Sequence, residues 1–278
     1  MPTLRLLNSS TIVAVAGGLR LNIAFLLAGL AIRMPEYCAF ALIIYATYTL
    51  DRSLDCREDA INRADLCGAN GNVGLFASIV AFGISTIILV LDGIYLAPIF
   101  PFIVGYIYTR GIHIGSWNLR LKGGIGIKNA VIGITWAGTI ALIVARWYPG
   151  IAAILVIFLF YFVKLFTTSC INDFKDVSGD LAAGIRTLPA YWGESKTKHI
   201  LLSANIALHL VMILSVFLGI IRNEWVIILY SLIANSLFLM VYSSSFEKSA
   251  SWICRKLRNV VIYWESAISL ILRAVIPV

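Results

Sequence analysis

Two acidic clusters stand at the ends of apolar runs in a chain that is otherwise hydrophobic. The first reads Asp51-Arg-Ser-Leu-Asp55-Cys-Arg-Glu-Asp59 and follows Cys38–Leu50. The second reads Asn172-Asp173-Phe-Lys-Asp176-Val-Ser-Gly-Asp180 and follows Ile151–Ile171. Of the fourteen acidic residues, eight fall within Asp51–Asp65 and Asp173–Asp180. Asp51, Asp55 and Asp59 are spaced i, i+4, i+8, as are Asn172, Asp176 and Asp180, with Asp173 one i,i+3 step before Asp176. On helices each set runs along one face, drifting about 40° per step. Like charges stacked in this way repel, and a carboxylate at a bilayer centre costs roughly 2.5–3.5 kcal/mol. Hard cations would neutralise both faces. Oxygen ligands without His or Cys suit Mg²⁺ or Ca²⁺, and Mg²⁺ commonly shares its shell with substrate phosphates.

Basic residues accompany the acids. Asn62-Arg63, Arg110, Arg120-Leu-Lys122, Lys128 and Lys175 could surround a diphosphate bridged by such metals. Arg20 and Lys164 lie inside apolar runs, where an ionisable residue points to function by default. A diphosphate bound at a membrane-embedded site implies a lipid-tailed diphosphate. Asp51/Asp176 and Asp55/Asp180 are both separated by 125 positions, as expected from duplication of a four-helix unit.

The elements that must position these residues are membrane helices. The chain is 60% hydrophobic and 13% charged with a mean hydropathy of +0.90, and the apolar content is spread along residues 1–278 as one integral membrane domain. A spanning helix needs roughly 20 apolar residues. The pattern predicts nine, near 10–33, 34–50, 73–91, 93–112, 126–146, 150–171, 199–219, 224–242 and 260–277. The expected fold is an all-α polytopic bundle: two pseudo-repeated four-helix units plus one helix. With that order, sixteen basic residues fall on the side of the N-terminus and both acidic clusters, against Arg33, Arg146, Arg222 and Arg273 on the other. The positive-inside rule then places the acidic clusters at the cytoplasmic face of the cell membrane. The net charge of +8 reads as this topology signal, not as nucleic-acid binding. Ala14-Val15-Ala16 lacks a preceding apolar region of 7–15 residues, so no signal-peptide cleavage is expected. The five cysteines show no Cys-x-x-Cys spacing and are read as free thiols.

Asn172–Asp180, followed by Gly184-Ile-Arg-Thr-Leu-Pro189, resembles the second aspartate-rich motif of the UbiA-type intramembrane prenyltransferases, N-D-x-x-D-x-x-x-D with a G-x-x-T-L-P-like extension. Asp51-x-x-x-Asp55 with Asn62-Arg63 resembles the first motif. Leu121-Lys122 with Lys128-Asn129 resembles the loop between helices 4 and 5, and Arg20 stands where the family often has an arginine in helix 1. One departure is clear. The family commonly has Asn-Asp four and three residues before the aspartate matching Asp51, where this chain has Thr47 and Tyr48.

The resemblance implies that Asp51, Asp55, Asp176 and Asp180, with Asn172 and Asp173, hold two Mg²⁺ ions bridging an isoprenyl diphosphate. Arg20, Arg63, Lys122 and Lys128 would bind its oxygens. An aromatic-rich cavity would shield the allylic cation until a lipophilic acceptor attacks. A terpene cyclase of the same superfamily would share the ionisation step. A transporter would place its ion sites near the midplane, which the edge-located clusters do not favour. Taken singly, a helix-end carboxylate is usually a solvated cap. Arg20 could snorkel, Lys164 could pair with an acid, and the Lys248–Arg258 run suits lipid headgroups. Glu265 has no partner legible in the sequence.

Overall fold

The computed structural model describes residues 2–54, 68–114, 117–119, 125–182, 186–243 and 251–276. The chain opens with α1 (Pro2–Ser9), which breaks at Ser10 into α2 (Thr11–Leu27). Next come α3 (Met34–Ser53), α4 (Gly71–Leu91) and α5 (Leu96–Arg110). An antiparallel hairpin of β1 (Ile112–Ile114) and β2 (Trp117–Leu119) leads to α6 (Ile127–Trp147) and α7 (Ile151–Ala182). After the short α8 (Leu188–Trp192) come α9 (Glu194–Phe217), α10 (Trp225–Val241), α11 (Ser251–Asn259), a π-helical turn at Val260–Trp264, and α12 (Glu265–Val275).

The nine helices α2 to α7, α9, α10 and α12 stand at the nine predicted spans. Among the described residues five segments are long and apolar enough to cross a membrane: Pro2–Leu27, α4, α6, Ile151–Phe174 and α9. The apolar α10 and most of α5 are shorter. The protein is a helical, polytopic membrane bundle, and the hairpin is a short addition where the sequence reads as a loop.

The bundle is built as lipid requires. In α4 the buried stripe is Gly74, Ser78, Ala81, Ser85 and Leu89, while Phe76, Ile87 and Leu91 are 70%, 62% and 81% exposed. Lipid tails are as apolar as leucine, so helices associate through close packing of small residues and through polar contacts. A Cβ on Gly74 would come within 2.1 Å of Ser53 Oγ, so α4 meets α3 at backbone distance. Polar contacts fix the α1–α2 break: Thr49 Oγ1 donates to Ser10 Oγ at 2.9 Å, and Arg52 Nη1 reaches Ser9 and Ser10 Oγ at 3.0 and 2.7 Å.

The 125-residue offset also carries three helices of the first half onto helices of the second. Adding 125 to α3 gives 159–178, inside α7; adding it to α4 gives 196–216, inside α9; adding it to α5 gives 221–235, overlapping α10. At 1.5 Å per residue the 32 residues of α7 span about 48 Å, against roughly 30 Å of hydrocarbon. The 21 residues from Ile151 to Ile171 already cover about 31 Å, so Asn172–Asp180 emerge at the membrane edge. Asp51 stands likewise near the end of α3, 20 residues or about 30 Å long.

The four basic residues assigned to the opposite face are each matched. Arg33 pairs with buried Glu36 and lies 3.5 Å from the Trp147 ring centroid, and Arg146 Nε donates to the Asp92 carbonyl at 2.8 Å. Arg273 grips Glu224 in bidentate fashion at 2.5 and 2.8 Å, with Arg222 3.7 Å from the same carboxylate. Arg33 and Arg273 thus each have a close carboxylate partner.

Candidate active site

Helices α2, α3, α5, α6 and α7 and the C-terminal segment enclose a cavity of about 300 Å³, at the small end of the roughly 300–1,000 Å³ usual for small-molecule sites. The acids Asp51, Asp173 and Asp176 border it with Asn172, and so do the cations Arg20, Arg52, Lys128 and Arg258. Tyr48, Trp136, Ile132 and Leu165 supply apolar surface. Lys128 opens α6 and Trp136 follows about 12 Å further along it. The charged groups therefore gather where the helices end, and the aromatic groups lie deeper.

The second motif is held by α6. Asp173 is 1% exposed. Its Oδ1 accepts from Lys128 Nζ at 2.9 Å and its Oδ2 from Asn129 Nδ2 at 2.6 Å, while Asn129 also donates to Ser169 Oγ at 3.0 Å. Among the predicted metal ligands, Asp173 is thus one whose two oxygens already serve protein partners. Gly126 fixes the start of α6. Its φ of +67° favours glycine, its N–H donates to the Arg186 carbonyl at 3.2 Å, and a Cβ there would meet Leu188 at 3.3 Å. This ties the end of the basic loop to the Gly184–Pro189 stretch.

Arg20 borders the cavity. Its Nη2 donates to the Ile262 carbonyl in the π turn at 2.7 Å, and the Tyr161 hydroxyl donates to the Arg20 carbonyl at 2.6 Å. Lys164 lies away from the cavity and pairs with Glu265 at 2.5 Å, with Ser231 Oγ at 3.0 Å. That is the acid partner for Lys164 and the missing partner for Glu265.

The first motif is built differently. The 125-residue shift equates Thr47 with Asn172 and Tyr48 with Asp173. Thr47 turns its hydroxyl back to the Ile43 carbonyl at 2.9 Å. Tyr48 stacks on Trp136, with centroids 5.8 Å apart and planes 11° apart, and Phe40 meets Trp136 edge-on at 6.2 Å. The carboxylate of one half corresponds to an aromatic wall in the other.

Asp51, Asn172, Asp173, Asp176, Arg20 and Lys128 are thus gathered at one cavity. Asp55, Arg63 and Lys122 lie outside the described residues, as does the side chain of Asp180, whose position on α7 is one turn beyond Asp176. Tyr48, Arg52 and Arg258 border the cavity without having been assigned to it from sequence. Among the described residues no three His, Cys, Asp or Glu side chains converge as a complete metal cage. Two carboxylates and an amide oxygen nonetheless fit Mg²⁺, which takes one or two carboxylates and fills its shell with water and substrate phosphate oxygens. Cys38 and Cys170 are free, as expected.

The model of the UbiA prenyltransferase family matches residues 6–263. The chain belongs to the UbiA prenyltransferase family. It is therefore an enzyme that transfers prenyl groups. Digeranylgeranylglyceryl phosphate synthase of Natronomonas pharaonis is 26% identical over 194 residues, covering 66% of this chain and 67% of that protein. Two UbiA homologues share the fold. The one from Archaeoglobus fulgidus, solved with GPP and Mg²⁺, has a TM-score of 0.64 at 15% identity, covering 99% of this chain and all of that one. The apo structure from Aeropyrum pernix K1 has a TM-score of 0.63 at 10% identity, covering 94% and 98%.

Proposed function

We propose that this UbiA-family enzyme transfers an isoprenyl group from an isoprenyl diphosphate to a lipophilic acceptor in the membrane, using Mg²⁺ at a site that opens to the cytoplasm. The observation that carries the reading is the meeting of Asp51 and Asp176, from duplicated helices, at one cavity with Lys128, Arg20 and an aromatic floor. The GPP- and Mg²⁺-bound homologue supports the donor class and the metal. The synthase named above makes a prenylated glyceryl phosphate lipid the first acceptor to test.

Asp51, Asp176 and Asn172, with Asp55 and Asp180, would hold the metal. Bound Mg²⁺ would neutralise the diphosphate and stabilise charge gathering on it as it leaves. Lys128, steadied by Asp173, and Arg20, steadied by the Ile262 carbonyl, would present cations to the diphosphate oxygens, and Arg63 and Lys122 would add to them. The bond between the first carbon of the donor and the diphosphate oxygen breaks, leaving an allylic cation. Tyr48 and Trp136, which border the cavity, would offer ring faces to that cation and help to exclude water. The acceptor nucleophile then forms the new bond to carbon and loses its proton.

The test incubates purified protein with geranylgeranyl diphosphate and Mg²⁺, with and without a membrane lipid extract, and identifies products by mass spectrometry. A prenylated lipid that requires the extract is expected. Diphosphate release without an acceptor, together with a cyclic hydrocarbon, would make the protein a cyclase and defeat the transferase reading.

A further inference from the structure

The basic run Lys248–Arg258 divides into two faces where the structure describes it. On α11 the exposed Trp252, Ile253 and Leu257 (62%, 58% and 38%) fall within an arc of about 140° at roughly 100° per residue. Lys256 lies on that side, 4.0 Å over the Trp252 ring. Arg258 is about 170° from the centre of the arc, half-buried, and borders the cavity that holds Asp51, Asn172 and Asp176. A basic amphipathic helix lies in the membrane interface with its apolar face toward the acyl chains. That seat turns Arg258 inward.

Two bonds fix the backbone that follows. Arg20 holds the Ile262 carbonyl at 2.7 Å, and Lys164 holds Glu265 at 2.5 Å. The π turn between α11 and α12 shifts the register so that Ile262 and Tyr263 also face the cavity. Arg258 therefore stands on an anchored arm, not on a loose tail. Guanidinium is always charged, and its planar fork matches two oxygens of a phosphate.

We infer that Arg258 is a substrate-binding residue that, from the C-terminal segment, takes a phosphate oxyanion in the cavity that Lys128 also borders. The inference rests on the site being one for an isoprenyl diphosphate. The oxyanion belongs either to the donor diphosphate or to a phosphate-bearing acceptor lipid, and two measurements separate these sources.

Full-length protein in nanodiscs is compared as wild type, Arg258→Gln, Arg258→Lys and the exposed control Lys256→Gln, each checked by its melting temperature. One arm titrates inorganic pyrophosphate in Mg²⁺ by calorimetry. The other measures KM and kcat for a prenylated glyceryl phosphate acceptor. Loss of about tenfold or more in pyrophosphate affinity in Arg258→Gln, with Lys256→Gln unchanged, assigns Arg258 to the donor. Unchanged pyrophosphate affinity with a similar rise in acceptor KM at constant kcat assigns it to the acceptor. Wild-type values in both arms overturn the inference. If Arg258→Gln does not fold, Arg258→Lys carries the test, with a smaller loss in one arm expected and none overturning it. Wild-type pyrophosphate binding that is indifferent to Mg²⁺ and to Asp176→Asn would instead defeat the underlying diphosphate reading.

Discussion

Lys128 and Asp173 form a 2.9 Å ion pair between the first turn of α6 and the second acidic motif on α7, with side chains 18% and 2% exposed. Breaking one partner of a buried pair leaves a charge without compensation and costs about 3–5 kcal/mol, whereas replacing both with apolar groups is often neutral. Asp173→Ala is therefore expected to lower the melting temperature markedly in detergent. Lys128→Met/Asp173→Leu should recover most of the stability. It should not recover the donor KM, because Lys128 borders the substrate cavity; a double variant with wild-type KM would remove Lys128 from the site.

Lys164 and Glu265 give the opposite pattern. Their 2.5 Å pair bridges α7 and α12, with side chains 10% and 5% exposed, and neither residue borders the cavity. Glu265→Ala should destabilise by about 3 kcal/mol for the same reason. Lys164→Met/Glu265→Leu should restore the melting temperature and keep kcat and KM within about twofold. A folded double variant without activity would show that this pair does more than join helices.

The acidic residues at the cavity should behave as metal ligands. Asp51→Ala and Asp176→Ala are each expected to lower kcat at least 100-fold, the scale on which loss of one electrostatic contact to a leaving group is felt. Chelation should abolish turnover and added Mg²⁺ restore it, while Asp65→Ala should change little. Full activity in excess chelator, or wild-type turnover by Asp176→Ala, would rule out the proposed metal site.

Sidedness follows from charge. A cysteine introduced at position 198 in a cysteine-free background should react only with reagent supplied from the cytoplasm, and one at position 222 only from outside. The bias is the count of basic residues, sixteen against four, which gives the positive-inside signal to the end that holds position 198. External labelling at position 198 would invert the topology.

The positions of nine helices were legible because lipid demands apolar segments, a requirement visible in any window of about 20 residues; among the described residues five segments reach the full spanning length and apolarity. The 125-residue offset was legible because Asp51 and Asp176, so spaced, both stand near helix ends and border one cavity. Pairings across the bundle were not. Lys164 and Glu265 are 101 residues apart in sequence, and no local pattern joins them. Arg258 was hidden among like charges, where only its angle to Trp252, Ile253 and Leu257 sets it apart. The engagement of Asp173 was partly legible: adjacent residues on a helix point about 100° apart, so Asn172 and Asp173 do not present the same face to a metal.

Tyr48 is where the two halves of the site differ most. Asp173, its counterpart 125 residues on, is a carboxylate bound by Lys128 and Asn129, whereas Tyr48 stacks at 5.8 Å on Trp136. If the ring carries its role, Tyr48→Phe should keep kcat within about twofold and leave the Mg²⁺ requirement unchanged. Tyr48→Ala removes a stack worth about 0.5–1.5 kcal/mol and a face for the allylic cation of similar value. The first loss lowers stability, and the second alone predicts a fall in kcat of roughly 2- to 13-fold, again with the same Mg²⁺ dependence. A phenol oxygen serving as a metal ligand would give the reverse: Tyr48→Phe would need several-fold more Mg²⁺ for half-maximal rate. Titrating Mg²⁺ against the initial rate for the three proteins distinguishes the two roles, and a raised requirement in Tyr48→Phe would show that this half of the site supplies a ligand and not only a wall.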